Sequence, residues 1–268
     1  MNKIISVDLD GTLVDKTNNI PENTIEYLNN LINKGYKLII SSGRPYRSML
    51  KFANRFPKNT PIISENGAYI GTLDNSLFKE LKRFSKKTFL DLFITNKPII
   101  KNAYFSVGHY AYIYNRIPKL EPFYHIDENT VVINGAYDLI KDFEAPNGAL
   151  FIIKSEERNK FEEYINNSKK IKYRLLGYDL NNAVYEISIS NIDKSIAIGK
   201  VLKYLGASWN DLIAIGDGIN DLETLKLAGT SVAMNNAEPE IKEISKYITS
   251  KTNEEEGVYH FLKEYLKD

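Results

Sequence analysis

Short apolar runs alternate with amphipathic stretches through the first sixty residues. Lys3–Val7 reads as a buried strand, and Pro21–Asn33 as a helix turning Ile25, Leu28, Leu31 and Ile32 inward. Gly35 closes that helix, and Tyr36–Ile40 is a second buried strand. Arg44–Phe56 places Met49, Phe52, Ala53 and Phe56 on one helical face, and Pro61–Ile63 is a third strand. This βαβαβ order predicts a parallel sheet with helices on both faces. The end of the chain resumes the style. Helices are expected over Ser195–Leu205, Asp221–Ala228, Pro239–Ser245 and Glu255–Leu266, with strands at Leu212–Ile215, Ser231–Met234 and Tyr247–Thr249.

The middle has a different texture. From about Phe84 to Ile187, aromatic alternating segments such as Tyr104–Val107, Tyr110–Tyr114 and Leu150–Ile153 alternate with helical stretches. Paired strands with helices predict an α+β module inserted into the α/β core, the tyrosines serving sheet packing. The expected division is a discontinuous core over 1–82 and 188–268 around an insertion over 83–187.

With 268 residues the chain is long enough for two modest cores, and 43% hydrophobic with 26% charged residues is an ordinary globular balance. A net charge of +1 supplies no field for nucleic acid or an anionic membrane. No apolar run suits a bilayer span, and the start, broken by Asp8, is not a secretory segment. The absence of cysteine removes thiolate ligands, cysteine nucleophiles and disulfides, and fits a cytoplasmic setting. The expected partner is a small molecule, and the expected state a monomer or weak homodimer.

The chemistry gathers at strand ends. Asp8-Leu9-Asp10-Gly11-Thr12 follows the first strand directly. If the backbone stays extended, Asp8 and Asp10 emerge on one side, at the edge where open α/β sheets bind ligands. Carboxylates this close repel, and a hard divalent cation relieves them. Alone, such a pair is more often a solvated turn. Asp217 and Asp221 flank the end of another buried strand in Gly216-Asp217-Gly218-Ile219-Asn220-Asp221, four residues apart as on one helical turn. The glycines permit close approach of a ligand to the backbone, although an aspartate capping a helix explains either motif alone. Ser41-Ser42-Gly43-Arg44 offers a hydroxyl and backbone N–H groups at a helix start, which suit a phosphate or simply cap the helix. Lys194 alone reads as surface.

Together, DLDGT, SSGR, Lys194 and GDGIND resemble the four signatures of the haloacid dehalogenase superfamily, in order and across the whole chain. Residues Ala228–Ala237, Glu65-Asn66-Gly67-Ala68 and Glu256-Gly257-Val258 resemble its Cof-type subgroup, whose type IIB cap occupies the position of the aromatic insertion. Three departures leave the signatures intact: Ser42 stands where threonine is frequent, Glu223-Thr224-Leu225 lacks a common methionine, and Glu256 replaces the usual aspartate. The resemblance implies a Rossmann-like core with an α+β cap governing specificity, and a Mg²⁺-dependent phosphatase acting on a small phosphorylated metabolite, sugar phosphates foremost. It implies Asp8 as nucleophile and Asp10 as acid and then base. Mg²⁺ would be held by the Asp8 carboxylate, the Asp10 carbonyl and Asp217, with Asp221 in support. Ser42, Gly43, Lys194 and Asn220 would meet the phosphate or substrate, with Asn66 and Gly67 at the mouth, and Arg44 would order its own loop.

A phosphotransferase or phosphomutase on the same machinery is the nearest alternative. A receiver-type regulatory module is a further one, disfavoured by Asp10 two residues after Asp8. His109, His125 and His260 lack ligand spacing and are expected to pack, although His109 lies where a cap residue could meet substrate.

Overall fold

The computed structural model describes residues 4–107, 110–119, 124–126, 130–135, 145–179 and 181–267. It divides into two compact units: Met1–Arg44, Met49–Leu81 and Asp193–Asp268 form one, and Pro45–Ser48 with Lys82–Ile192 form the other. His109 lies outside the described residues.

The first unit opens with β1 (Ile4–Asp8), buried throughout, then α1 (Glu22–Asn33) and β2 (Lys37–Ser41). Ile25, Leu28 and Leu31 are buried in α1, whereas Ile32 is only half-buried. Helix α2 spans Tyr46–Ala53, shorter at both ends than its apolar period suggests. Pro45 disfavours helical backbone at Arg44, which delays the start. Successive tight turns carry Asn54 to Phe56 beyond its end, and Phe56 still reaches the core. β3 (Ile62–Ser64) is followed by β4 (Tyr69–Gly71) and β5 (Phe78–Glu80), which extend the sheet antiparallel.

The second unit contains α3 (Lys86–Asn96), β6 (Ile100–Val107), β7 (Tyr110–Tyr114), β8 (Val131–Asn134), β9 (Gly148–Lys154), α4 (Arg158–Asn166), β10 (Ile171–Asp179) and β11 (Asn182–Ile189). Its strands run in the order β10-β11-β9-β6-β7-β8, antiparallel except for β7 with β8. Phe89 and Phe93 of α3, Phe105, Phe151, Phe161 of α4 and Tyr185 make one aromatic core, with Phe89–Phe105 centroids 5.0 Å apart. Tyr104 and Tyr124 stack with 4.8 Å between centroids. Packing thus accounts for the buried tyrosines.

The first unit is completed by α5 (Lys194–Tyr204), β12 (Leu212–Gly216), α6 (Leu222–Leu227), β13 (Thr230–Ala233), α7 (Pro239–Ile244), β14 (Tyr247–Ile248) and α8 (Gly257–Tyr265). The sheet order is β14-β13-β12-β1-β2-β3-β4-β5. β1 is therefore interior, parallel to β2 on one side and β12 on the other, as the apolar runs predict. That pairing puts the carboxyl ends of β1, β2 and β12 side by side. Among the described residues, no helix is long and apolar enough to cross a membrane.

Candidate active site

Asp8 is the last residue of β1, and the chain turns immediately after it. Leu9–Leu13 forms one irregular helical turn, with Asp10 at ψ 125° and Gly11 at φ 73°. The extended geometry expected to carry Asp8 and Asp10 out together is therefore lost, and their carboxylates go to different partners. Asp8 is buried, while the Asp10 side chain is 52% exposed.

Carboxylate oxygens of Asp8, Asp217 and Asp221 lie within 4.8 Å of one another. Asp217 and Asp221 meet there without sharing an α-helical turn: Asp217 is in the loop after β12, and Ile219–Asp221 is a 3₁₀ turn preceding α6. Asp221 Oδ2 accepts the backbone N–H groups of Asp217 at 3.2 Å and Gly218 at 3.3 Å, so it both shapes the loop and joins the cluster. The space left by the missing side chain of Gly216 is filled by the Asp221 carboxylate, where the sequence had suggested room for a ligand. Gly11 has a comparable role. Its positive φ favours glycine, and a Cβ there would collide with the Asp217 carboxylate. Thr12 steadies that carboxylate, its hydroxyl donating to Asp217 Oδ1 at 2.9 Å.

Lys194, the first residue of α5, is fully buried, contrary to the surface reading of a lone lysine. Its ammonium donates to Asp8 Oδ1 and, at 2.7 Å, to Asp221 Oδ1. Asp193 caps α5, accepting the Ile196 N–H at 3.0 Å, and so fixes where the lysine begins its reach. Burial opposes the ammonium's charge, but Asp221 and Asp8 overcome that and hold the Lys194 pKa above its ordinary value. Burial pushes the Asp8 carboxyl well up; Lys194 counteracts this, while Asp221, Asp217 and Asp10 add to it. Asp217 is pushed up to about 7, chiefly by burial and then by Asp221.

This donor set fits a hard divalent cation. Among the described residues it offers carboxylate oxygens, and its three potential negative charges face one ammonium. The raised carboxyl groups have the same cause, crowding of like charge in a dry site, which a cation relieves.

A second arrangement adjoins the first. Arg44 Nε donates to Asp10 Oδ2 at 2.8 Å, and Nη2 donates to Asp10 Oδ1 at 2.5 Å and to Asn18 Oδ1 at 2.7 Å. The guanidinium fork meets both oxygens of the carboxylate, a bidentate geometry that fixes its plane. Ser42 is fully buried; its hydroxyl accepts the Arg44 N–H at 3.0 Å and lies 3.5 Å from Asp10 Oδ2. Gly43 occupies the turn between them. Asn220 Nδ2 donates to Asn66 Oδ1 at 3.2 Å, bringing together two positions singled out in sequence. The expected role of Arg44 is to order its own loop, and its fork onto Asp10 and the Thr12 bond to Asp217 have no signal in the sequence. His260 is exposed against Tyr259, and His125 contributes its carbonyl to Arg47 of its own unit; neither belongs to the carboxylate cluster.

Carboxylates and a buried lysine converging at the carboxyl ends of parallel strands define an α/β enzyme site. Residues 5–262 match the family model of the haloacid dehalogenase-like hydrolases, and the chain belongs to that family. It is similar to the 5-amino-6-(5-phospho-D-ribitylamino)uracil phosphatase YitU of Bacillus subtilis, at 30% identity over 98% of this chain and 97% of the relative. YcsE, a B. subtilis phosphatase named for the same compound, is 23% identical over 98% and 96% of the two chains. The crystal structure of a haloacid dehalogenase-like hydrolase from Bacteroides thetaiotaomicron superposes with a TM-score of 0.83 at 25% identity, covering 99% of this chain and 100% of that one. The chain is a phosphatase of this family.

Proposed function

We propose that the protein is a Mg²⁺-dependent phosphatase that hydrolyses small phosphate monoesters through an aspartyl-phosphate on Asp8. The observation carrying this reading is the buried Asp8 carboxylate, held by Lys194 within a cluster completed by Asp217 and Asp221. An Asp8 oxygen bonds to phosphorus as the ester P–O bond breaks, and the departing alkoxide takes a proton from Asp10. Water then attacks phosphorus and passes a proton to Asp10; the P–O bond to Asp8 breaks and orthophosphate leaves. Ser42, the Gly43 turn, Lys194 and Asn220 hold phosphoryl oxygens and substrate. Asp8, Asp217, Asp221 and the main-chain carbonyl of Asp10 would hold Mg²⁺, which supplies cancellation of charge on the phosphoryl group.

The substrate class we infer is sugar phosphates and related polyol phosphates, selected by the second unit. Two relatives named for a phosphoribityl compound support a substrate of that kind. A panel of sugar, polyol and nucleotide phosphates, scored for released orthophosphate with Mg²⁺ and with excess chelator, tests both parts. Orthophosphate without any acceptor sugar is expected, only with Mg²⁺. Full turnover in chelator would overturn the metal assignment, and release only with an acceptor would make the enzyme a transferase.

A further inference from the structure

The loop after the first signature is built with unusual care for an exposed segment. Asp15 Oδ1 accepts the Thr17 N–H at 2.8 Å, the Thr17 hydroxyl at 2.6 Å and the Asn19 N–H at 3.1 Å. These bonds hold Asn18 at φ 60°, the left-handed conformation that asparagine tolerates. Lys51 Nζ donates to the Asn18 carbonyl at 2.8 Å from outside. So fixed, the Asn18 amide oxygen accepts from Arg44 Nη2 at 2.7 Å.

Arg44 is constrained on its other sides as well. Its guanidinium carbon lies 5.0 Å from the centroid of the buried Phe52 ring, and its backbone is tied to the Ser42 hydroxyl and the Glu65 N–H. The side chain is 5% exposed, yet the carboxylate it grips is half in solvent. Burying a guanidinium to hold an exposed carboxylate gains little stability, because solvent screens the pair. What the arrangement does provide is orientation, since a rigid fork fixes the plane of the carboxylate it holds.

We propose that Arg44, braced by Asn18, is a positioning residue that aims the Asp10 carboxylate at the reacting oxygen. The inference rests on the reading of Asp10 as proton carrier. The step concerned is breakdown of the aspartyl-phosphate: the water oxygen bonds to phosphorus, the electron pair of the breaking P–O bond returns to Asp8, and the water proton goes to Asp10. A misaligned Asp10 slows this step while leaving attack by Asp8 on an activated ester nearly intact. Phosphoenzyme then accumulates, a signature that loss of folding does not produce.

The test uses the full chain with Mg²⁺ and 4-nitrophenyl phosphate, measuring kcat, KM and the fraction of enzyme trapped as phosphoenzyme after rapid quench. Arg44→Lys keeps the charge but loses the fork. It should lower kcat about 10–100-fold, the scale of a misplaced catalytic group, with KM falling nearly in proportion because kcat/KM reports the intact phosphorylation step, and with phosphoenzyme raised. Asn18→Gly retains the backbone conformation and removes only the amide, so it remains informative if Arg44→Lys fails to fold. It should lower kcat about 3–10-fold, the worth of one hydrogen bond, with the same accumulation. In an Asp10→Asn background, both substitutions should change kcat by less than about twofold, because the group they position is gone. Normal phosphoenzyme levels in both variants, or full additivity with Asp10→Asn, would overturn the proposal while leaving Asp10's role standing. If Asp10→Asn itself changes neither kcat nor phosphoenzyme, the reading of Asp10 and the proposal fall together.

Discussion

Replacing Lys194 with methionine removes the one cation that, among the described residues, bonds to the carboxylate cluster, while keeping a flexible apolar stem of similar length. The ammonium is fully buried and bridges two carboxylates that are themselves about one-twentieth exposed. Removing one partner of a buried ion pair costs about 3–5 kcal/mol, because the other charge stays desolvated. One ammonium serves two carboxylates here, which puts the cost toward the upper end. Proton uptake limits it, since Asp8 and Asp217 already have raised pKa values and would rise further without the lysine. The expected loss in metal-free protein at pH 7.5 is therefore about 3–5 kcal/mol. That lowers Tm by roughly 6–20 °C, at about 2–4 °C per kcal/mol for a domain of this size. Because the folded variant, lacking the ammonium that favours ionised carboxylates, binds more protons than the folded parent, the deficit must shrink as pH falls from 8 to 5.5. Urea unfolding of both proteins in chelator across that range measures it. A deficit below about 1 kcal/mol at pH 7.5, or one independent of pH, would refute the reasoning.

Asp217, pushed up to about 7, carries a proton in competition with metal, so Mg²⁺ affinity measured by calorimetry should rise between pH 6 and 8 with proton release that fades above pH 7. Its folded pKa lies above the unfolded 3.8, so its contribution to metal-free stability declines as pH rises from about 4 to 7. Asp217→Asn should consequently stabilise the metal-free protein more at pH 8 than at pH 5, a difference read from paired thermal melts. Gly11→Ala places a methyl group into the Asp217 carboxylate at a positive φ, and Mg²⁺ titration followed by thermal shift should show weakened binding. Phe151→Ala empties the centre of the aromatic core in the second unit and should cost about 3–5 kcal/mol in denaturant unfolding.

The parallel sheet was legible because β1, β2 and β12 are short apolar runs, and runs of that kind in βαβ order allow few arrangements. The meeting of Asp8 with Asp217 followed from the same pattern, since adjacent parallel strands end at one edge. Other features had no local trace. β4 and β5 are three residues each and carry Gly71, Lys79 and Glu80, too short and polar for a period to emerge. The Asp10–Arg44 pair joins a turn to a loop 34 residues away, through a long side chain whose direction depends on Phe52 and Asn18. Lys194 could be placed in the site only through the resemblance, because a lone lysine reads as solvated and only the surrounding carboxylates make its burial tolerable.

The interior place of β1 has a consequence for the growing chain. Its partner β2 is made almost at once, but β12 lies near the far end of the sequence. At about 5–20 residues per second, one hydrogen-bonding edge of Ile4-Ile5-Ser6-Val7 waits roughly ten seconds or more on the ribosome without its neighbour. That edge is apolar, extended and free to pair with the wrong strand. Chains cut off before Leu212 therefore keep a sticky half-sheet, without the strand that would cover it, and are expected to aggregate.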